Sequence, residues 1–212
     1  NQPTPEELEK QKTEQIQETS EADSPESENT TAVDQTQIDP VTPIASDSLA
    51  LVNAKNRLGV FAFSNSLPSA RDHETIIEND LVRIKVANKG GQITEVLLKN
   101  YKTYDQKPLY VIKDQNALFN LSFATLDNRN LQTKDLYFEP ELTQNGDNQV
   151  LSMRLKVSQN QYLEYRYELK PDDYMLDFGI RTQEMDRAIN TSESLRLDWK
   201  LRSMRTEKSI KY

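Results

Sequence analysis

From about residue 74 to the C-terminus, apolar and polar positions alternate with a period of two. Successive side chains of an extended strand point to opposite faces of a sheet, so each alternating stretch predicts a strand with one apolar and one charged face. Such strands form antiparallel sheets with one face on a core, whereas buried parallel strands are apolar on both faces. The alternating apolar positions are Val82, Ile84 and Val86; Ala117, Phe119, Leu121 and Phe123; Leu151, Met153, Leu155 and Val157; Leu163, Tyr165, Tyr167 and Leu169; Tyr174, Leu176, Phe178 and Ile180; and Leu195, Leu197, Trp199 and Leu201.

Turn-forming residues separate these stretches. Asn88-Lys-Gly-Gly91 lies between two alternating segments and contains two residues that tolerate positive φ, which predicts a β-hairpin. Asn145-Gly-Asp-Asn148 and Pro171-Asp-Asp173 predict two further turns. The sequence between the strands contains no long segment of helical periodicity. The pattern therefore predicts an all-β fold, a large antiparallel sandwich.

Charge is divided unevenly along the chain. The 212 residues carry a net charge of -8, but residues 1–48 hold twelve acidic residues and two lysines, and the first aromatic residue is Phe61. So few apolar side chains cannot offset an ordering cost of about 1–2 kcal/mol per residue. We therefore expect residues 1–48 to be an acidic disordered tether, with an acidic docking motif as the alternative.

Residues 49–73 form a transition to the folded part, residues 74–212. The apolar run Leu58–Phe63 predicts either a strand or a docking segment that packs on the edge of the domain, and it is too short to span a bilayer. Ser64–Ser66 and Pro68 then interrupt the pattern. The folded part, of about 140 residues, is long enough to bury a sizeable core.

Residue types that most catalytic and metal sites require are scarce. The chain has no cysteine and a single histidine, His73, which excludes disulfides, thiolate catalysis and multi-histidine metal sites. His73 precedes the first alternating stretch, so we expect an exposed loop residue. The sequence has no glycine-rich phosphate loop and no nucleophile elbow. We therefore expect no enzyme activity, no cofactor and no metal.

The charged faces of the predicted strands mix both signs. Arg154 and Arg166, for example, alternate with Glu164 and Glu168. Cross-strand pairing of opposite charges explains this mixture without a ligand. The net charge of residues 49–212 is close to zero, so this part of the chain attracts the phosphate groups of nucleic acids only weakly. Nucleic acid is therefore not expected as a partner.

Two aromatic side chains, Tyr162 and Trp199, are candidates for contact with a ligand or a partner. Aromatic rings such as theirs, and those of Tyr165 and Tyr167, offer flat apolar surfaces on which a sugar can stack. Tyr165, Tyr167 and Trp199 nevertheless fall on the apolar faces of their strands. Packing in the core is therefore the expected role of these three rings.

The stretch from residue 74 to residue 98 resembles the start of the periplasmic domain of YidC-type membrane protein insertases, in the Bacteroidetes-like form of that family. Its most recognisable part is Gly90-Gly-Gln-Ile-Thr-Glu95. The resemblance covers residues 74–212 and rests on a colinear series of segments rather than on one diagnostic motif. The series continues with Tyr101-Lys-Thr-Tyr104, Pro108-Leu-Tyr-Val-Ile112, Tyr162-Leu-Glu-Tyr165, Leu169-Lys-Pro-Asp172 and Leu197-Asp-Trp-Lys200.

This resemblance implies a protein of the bacterial inner membrane, anchored through segments outside this chain, with this chain on the periplasmic side. It implies an antiparallel β-supersandwich similar to galactose mutarotase, whose catalytic histidine and glutamate have no convincing counterpart here. It also implies a non-catalytic role in the insertion and folding of membrane proteins, with or without the Sec translocon. The implied partners are SecD–SecF and nascent membrane proteins.

The strand-like pattern continues into Lys208–Tyr212, so the resemblance predicts a domain that is truncated or incomplete at its C-terminus. A partial supersandwich would expose an edge and an apolar face, and self-association would be favoured. Two other functions stay open. One is a carbohydrate-binding, mutarotase-like extracytoplasmic module, and the other is a cell-envelope domain on a lipoprotein stalk.

Overall fold

The computed structural model describes residues 43–208, in which strands dominate. Two helices come first, α1 at Pro43–Leu58 and α2 at Ala62–Asn65, and a 3-10 turn at Gly59–Phe61 joins them. A second 3-10 turn occupies Thr133–Asp135. The strands are β1 (Glu74–Glu78), β2 (Val82–Ala87), β3 (Ile93–Lys102), β4 (Pro108–Ile112), β5 (Ala117–Ala124), β6 (Asn130–Gln132), β7 (Glu139–Asn145), β8 (Asn148–Lys156), β9 (Tyr162–Leu169), β10 (Leu176–Gln183) and β11 (Arg196–Leu201).

These strands form three antiparallel sheets, with the orders β1-β2-β3-β4, β10-β9-β8-β7 and β11-β5-β6. In the first two sheets, neighbouring strands follow one another along the chain, which is the topology of a meander of hairpins. In the third sheet, β11 returns over a long connection to pair with β5. Apolar side chains from all three sheets join in one core. The predicted all-β antiparallel sandwich is confirmed, while its likeness to galactose mutarotase stays a prediction.

The predicted alternation is clearest in the central strands β2, β8 and β9, each of which has a strand on both sides. The inward side chains of these strands are almost fully buried, and each contributes about 1.5–3 kcal/mol through removal of apolar surface from water. These side chains are Val82, Ile84, Val86, Leu151, Met153, Leu155, Leu163, Tyr165, Tyr167 and Leu169.

The predicted hairpin at Asn88-Lys-Gly-Gly91 is also confirmed, since β2 and β3 pair across this turn. Gly90 and Gly91 have φ angles of +81° and +60°. A Cβ atom on Gly91 would lie 3.0 Å from the ring of Phe138 and 3.1 Å from that of Tyr165. Glycine is therefore required at Gly91 both by its backbone conformation and by this close approach.

The transitional segment is helical and enters the core. Phe61 is fully buried, and its ring centroid lies 5.1 Å from that of Phe123. The Ser64 hydroxyl donates to the carbonyl of Tyr137 at 2.8 Å and accepts the backbone N–H of Lys156 at 3.1 Å. For the apolar run from Leu58, the predicted strand is therefore wrong, because the run is helical and its buried side chains belong to the core instead of lying on an edge.

Helix α1 begins at Pro43, within the stretch for which the sequence predicts a tether. Proline is well tolerated at the first position of a helix, because its missing N–H has no partner there in any case. The rest of the predicted tether, residues 1–42, lies outside the described residues, as do residues 209–212. None of the helices between residues 43 and 208 combines the length and apolar character needed to cross a membrane.

Candidate functional site

An apolar groove opens between the edge strands β10 and β11. Phe178 of β10 pairs with Tyr167 of β9, and Trp199 of β11 pairs with Phe119 of β5, so all four side chains point to the inner side of their sheets. The groove has a volume of about 200 Å³. We call it the edge groove, and it is lined by Ile93, Ile112, Ala117, Leu118, Phe119, Tyr167, Leu176, Phe178 and Trp199.

Phe119 is the centre of an aromatic cluster in the edge groove. Its ring meets those of Tyr165, Phe178 and Trp199 edge to face, at centroid distances of 5.4, 5.3 and 6.2 Å. Edge-to-face packing is a favourable geometry for aromatic rings. The cluster therefore connects the buried core to the open groove, and Phe119 links the two edge strands.

Trp199 is 73% exposed, so the prediction that this ring packs in the core is wrong. Its backbone does place it on the inner face of the sheet, next to Phe119. However, β11 is an edge strand, and within residues 43–208 nothing packs over the outer side of its indole ring. For Tyr165 and Tyr167, in contrast, the predicted core packing is confirmed.

The lining of the edge groove offers little hydrogen bonding. Of its described side chains, Tyr167 and Trp199 alone carry polar groups. The Tyr167 hydroxyl already donates to the carbonyl of Gly91 at 2.6 Å, and burial raises its pKa far above the ordinary value. A groove of this chemistry suits an apolar surface better than a sugar, whose hydroxyl groups need several polar partners.

Tyr162, the second candidate contact residue, lies on the opposite, outer face of its sheet. Its hydroxyl donates to the side chain of Gln183 at 2.7 Å, and the guanidinium of Arg154 lies 4.9 Å from its ring centroid. Tyr162 and Trp199 therefore do not belong to one site. The two aromatic residues that the sequence singles out are separated because they occupy opposite faces of different sheets.

The outer face around Tyr162 is a network of paired charges. Arg154 contacts both Glu141, at 2.6 Å, and Glu164, at 3.3 Å. Arg166 pairs with Glu168. Hydrogen bonds from Asn148, Arg166 and Asn145 lower the pKa of the Glu168 carboxyl to about 2. The predicted cross-strand pairing of opposite charges is confirmed for Arg154, whereas Arg166 pairs with an acid of its own strand, so neither arginine is left free to form a basic stripe.

A larger polar cleft, of about 630 Å³, lies where α1 meets β6. Arg57, Lys89 and Arg129 line it together with acidic and amide groups. Arg129 pairs with Asp127 and donates to the carbonyl of Asn56 at 3.2 Å, so it fastens α1 to the strands. Because the Arg129 guanidinium already holds α1 against the strands, the polar cleft is a weaker candidate for binding a ligand or a partner than the edge groove.

His73 is an exposed residue immediately before β1, as predicted. Across the part of the chain that the structure describes, acidic and histidine side chains do not gather in a group able to hold a metal ion.

Phe119 and Phe178 are the groove residues that sequence reasoning missed. Their alternation marks them as core, and the sequence carries no signal that their strands lie at an opening.

Comparison with known proteins gives a consistent result. The family model described as the YidC periplasmic domain matches residues 74–212. A "Membrane protein insertase YidC" from Porphyromonas gingivalis is 37% identical over 167 residues, which cover 78% of this chain and 26% of that protein. The protein of the same name from Parabacteroides distasonis is 32% identical over 218 residues, covering 100% of this chain and 33% of that protein.

A third relative of that name, from Bacteroides fragilis, is 33% identical over 171 residues, covering 79% of this chain and 27% of that protein. The chain thus spans between a quarter and a third of the length of these relatives. No solved structure matches the chain. The similarity therefore concerns one part of a much longer kind of protein.

Proposed function

The chain belongs to the family of YidC periplasmic domains, and we propose that it is the non-catalytic periplasmic part of an inner-membrane insertase. In this proposal, the parent protein assists the insertion and folding of membrane proteins, with or without the Sec translocon. Membrane segments outside this chain anchor it, and the domain lies on the periplasmic side. SecD–SecF and nascent membrane proteins are its proposed partners.

The match of the family model over residues 74–212 carries this proposal. Two features of the described surface support it. The charged outer face is largely neutralised by its own ion pairs, and the edge groove presents apolar rings without a catalytic group. Both features suit a domain that holds or contacts other proteins more than one that transforms a small molecule.

Depletion of the parent protein tests the proposal. We expect insertion of inner-membrane proteins, measured by protease protection of their periplasmic loops, to fall on depletion and to return when the intact parent is supplied. Insertion that continues unchanged after depletion would overturn the assignment. A parent reading frame without further apolar membrane segments, or one with a lipidated cysteine just upstream of Asn1, would instead support the envelope-domain alternative.

The proposed contact with SecD–SecF is tested at the level of the domain. We expect chemical cross-linking between the intact parent and SecD–SecF, and loss of these cross-links in a parent that lacks residues 74–208. A matched control with reversed charge at the exposed Arg187 should keep them. Cross-links that persist without the domain would assign the contact to the membrane segments.

We propose that residues 1–42 and the start of α1 link the domain to its anchor. Limited proteolysis should remove residues before Pro43 without changing the melting transition of the remainder. Strong protection of these residues would contradict this role.

The carbohydrate-binding alternative loses its support because Tyr162 and Trp199 do not share a site. Trp199 is the single tryptophan of the chain, so its fluorescence reports directly on the edge groove. Titration with neutral sugars should leave this emission unchanged. A saturable change that is lost in Trp199→Phe and Tyr162→Ala proteins would instead revive the alternative.

A further inference from the structure

The turn between β7 and β8 contains an asparagine followed directly by a glycine, a pair that occurs once in the chain. Asn145 and Asn148 lie opposite each other and close the turn, and Gly146 and Asp147 form its tip. Gly146 has a φ of +61°, which glycine adopts without strain. Asn145 and Gly146 are both exposed, so water has access to the pair.

An asparagine in such a pair can react with the backbone of its own neighbour. The nitrogen of the next residue attacks the side-chain Cγ atom, and the five-membered succinimide ring that forms expels the amide as ammonia. Asparagine is one of the thermolabile residues of proteins. A side chain on the next residue hinders the approach of its nitrogen, and glycine has no side chain. Asn-Gly pairs are therefore the most reactive.

The fold leaves both reacting groups of this pair open. A Cβ atom added to Gly146 would meet nothing within 4 Å, so the space around this backbone is free. The Gly146 N–H has no acceptor within residues 43–208, so its nitrogen breaks no hydrogen bond when it reacts. The Asn145 side chain is held at an exposed position by a hydrogen bond from its Nδ2 atom to Oε1 of Glu168, at 3.1 Å.

Asn148, on the other side of the turn, has the same contact but a different neighbour. Its Nδ2 atom donates to the same Oε1 atom of Glu168, at 2.8 Å. The residue that follows it, Gln149, has a side chain and pairs with Leu169 of β9. Asn148 is therefore an asparagine of similar surroundings that should not react in this way.

We propose that Asn145 is a site of spontaneous deamidation, at which the residue becomes aspartate or isoaspartate with water as the co-reactant. The Gly146 nitrogen forms a bond to Cγ of Asn145 and loses its proton, and the amide leaves as ammonia. Water then opens the succinimide. Opening at the side-chain carbonyl gives aspartate, and opening at the main-chain carbonyl gives isoaspartate. The chemistry does not depend on the insertase assignment.

The products disrupt the charge network on the outer face of β9. Hydrogen bonds from Asn148, Arg166 and Asn145 lower the pKa of the Glu168 carboxyl to about 2. A carboxyl with a lowered pKa stabilises the fold above its ordinary pKa, and therefore at neutral pH. Either product replaces the Asn145 donor by a carboxylate, which repels Glu168. Isoaspartate also lengthens the backbone of a turn whose geometry depends on its length.

Peptide mass spectrometry of the 212-residue chain after incubation at mildly alkaline pH tests the site. We expect residue 145 to gain a single mass unit and to appear as both aspartate and isoaspartate, with isoaspartate in excess. Asn148 is the internal control and should stay unmodified. Asn145→Gln keeps an amide at this position but requires a six-membered ring, so it should abolish the conversion.

The effect on the fold is measured on separated material. Ion-exchange chromatography resolves the modified chain, because it carries an additional negative charge. We expect the modified fraction to unfold at a lower urea concentration than the unmodified fraction at neutral pH. Asn145→Asp should reproduce the part of this shift that the charge causes, without the longer backbone.

Four results would overturn the proposal. If Asn145 stays intact in the folded chain while the chain unfolded in urea is converted, the hairpin blocks the reaction. Equal conversion of Asn148 would exclude the role of Gly146. A product without isoaspartate would exclude the succinimide. Identical unfolding of the modified and unmodified fractions would contradict the effect on the network around Glu168.

Discussion

Tyr165 and Tyr167 lie two positions apart on the inner face of β9, and both are buried. The Tyr167 hydroxyl donates to the carbonyl of Gly91, whereas that of Tyr165 has no partner of hydrogen-bond geometry among the described residues. Burial raises the pKa of both phenols far above the ordinary value. The hydroxyl groups of these two tyrosines therefore contribute differently to the stability of the fold.

Replacement of each tyrosine by phenylalanine separates these contributions. Tyr167→Phe should lower the free energy of unfolding by about 1–2 kcal/mol, because the carbonyl of Gly91 loses its donor. Tyr165→Phe should leave it unchanged or raise it by up to about 1 kcal/mol, because an unpartnered buried hydroxyl is removed. Urea denaturation of the two variants measures both values.

Each tyrosine variant is the control for the other, since both keep the aromatic ring and its packing. Equal losses in the two variants would mean that the Tyr165 hydroxyl has a partner such as a buried water. The sequence predicts the burial of both rings because burial depends on which face of the strand they occupy. It does not predict the hydrogen bond of Tyr167, because Gly91 is 76 positions away.

At the scale of elements, the local sequence favours the turn between β2 and β3, and tertiary contacts stabilise the resulting hairpin. Gly90 has positive φ, as its turn requires, and its N–H donates to the carbonyl of Leu136 at 2.8 Å. A Cβ atom at Gly90 would lie 3.2 Å from the Cα atom of Lys134. Gly146, in the β7–β8 turn, also has positive φ but has nothing within 4 Å of an added Cβ atom.

Valine substitutions at the two glycines distinguish backbone strain from crowding. Gly146→Val should cost about 1–2 kcal/mol, because a β-branched residue is strained at positive φ. Gly90→Val should cost at least about 1 kcal/mol more, because the added atoms also meet the backbone at Lys134. Thermal or urea unfolding of both variants measures the difference, and an unchanged stability of Gly90→Val would contradict the turn geometry.

The strands β9, β10 and β11 have the same alternating pattern but different burial. Tyr167 of β9 is buried, Phe178 of β10 is 41% exposed and Trp199 of β11 is 73% exposed. The difference follows from the order of strands in the sheets, since β9 is central whereas β10 and β11 are edges. Alternation identifies the inner face of a strand, but the position of that strand decides whether its inner face is covered.

At the scale of the whole molecule, the helical segment before β1 is an integral part of the core. Leu58 and Phe61 are buried in the same cluster as the inner residues of the sheets. The Ser64 hydroxyl bonds to backbone atoms of Tyr137 and Lys156, which belong to distant parts of the chain. Residues before position 74 therefore stabilise the domain although the family model matches from residue 74 onward.

Substitution of Phe61 measures this contribution. Phe61→Ala should lower the free energy of unfolding by about 3–5 kcal/mol, because it leaves a cavity against Phe123. Val60→Ala, at the adjacent exposed position, should change it by less than about 0.5 kcal/mol. If both variants unfold like the original chain, the segment does not belong to the cooperative core.

The sequence by itself determined the all-β class, the hairpin at Gly90 and Gly91, the inner faces of the central strands and the family resemblance. These properties follow from local periodicity, turn chemistry and a colinear series of short segments. The tertiary structure alone decided that the run from Leu58 docks as a helical segment, that Tyr162 and Trp199 occupy different faces, and that β10 and β11 border an open groove. Those outcomes depend on which distant strands pair and on which surfaces remain uncovered after pairing. The alternating pattern of apolar and polar residues is the same in a central strand and in an edge strand, so it does not distinguish the two positions.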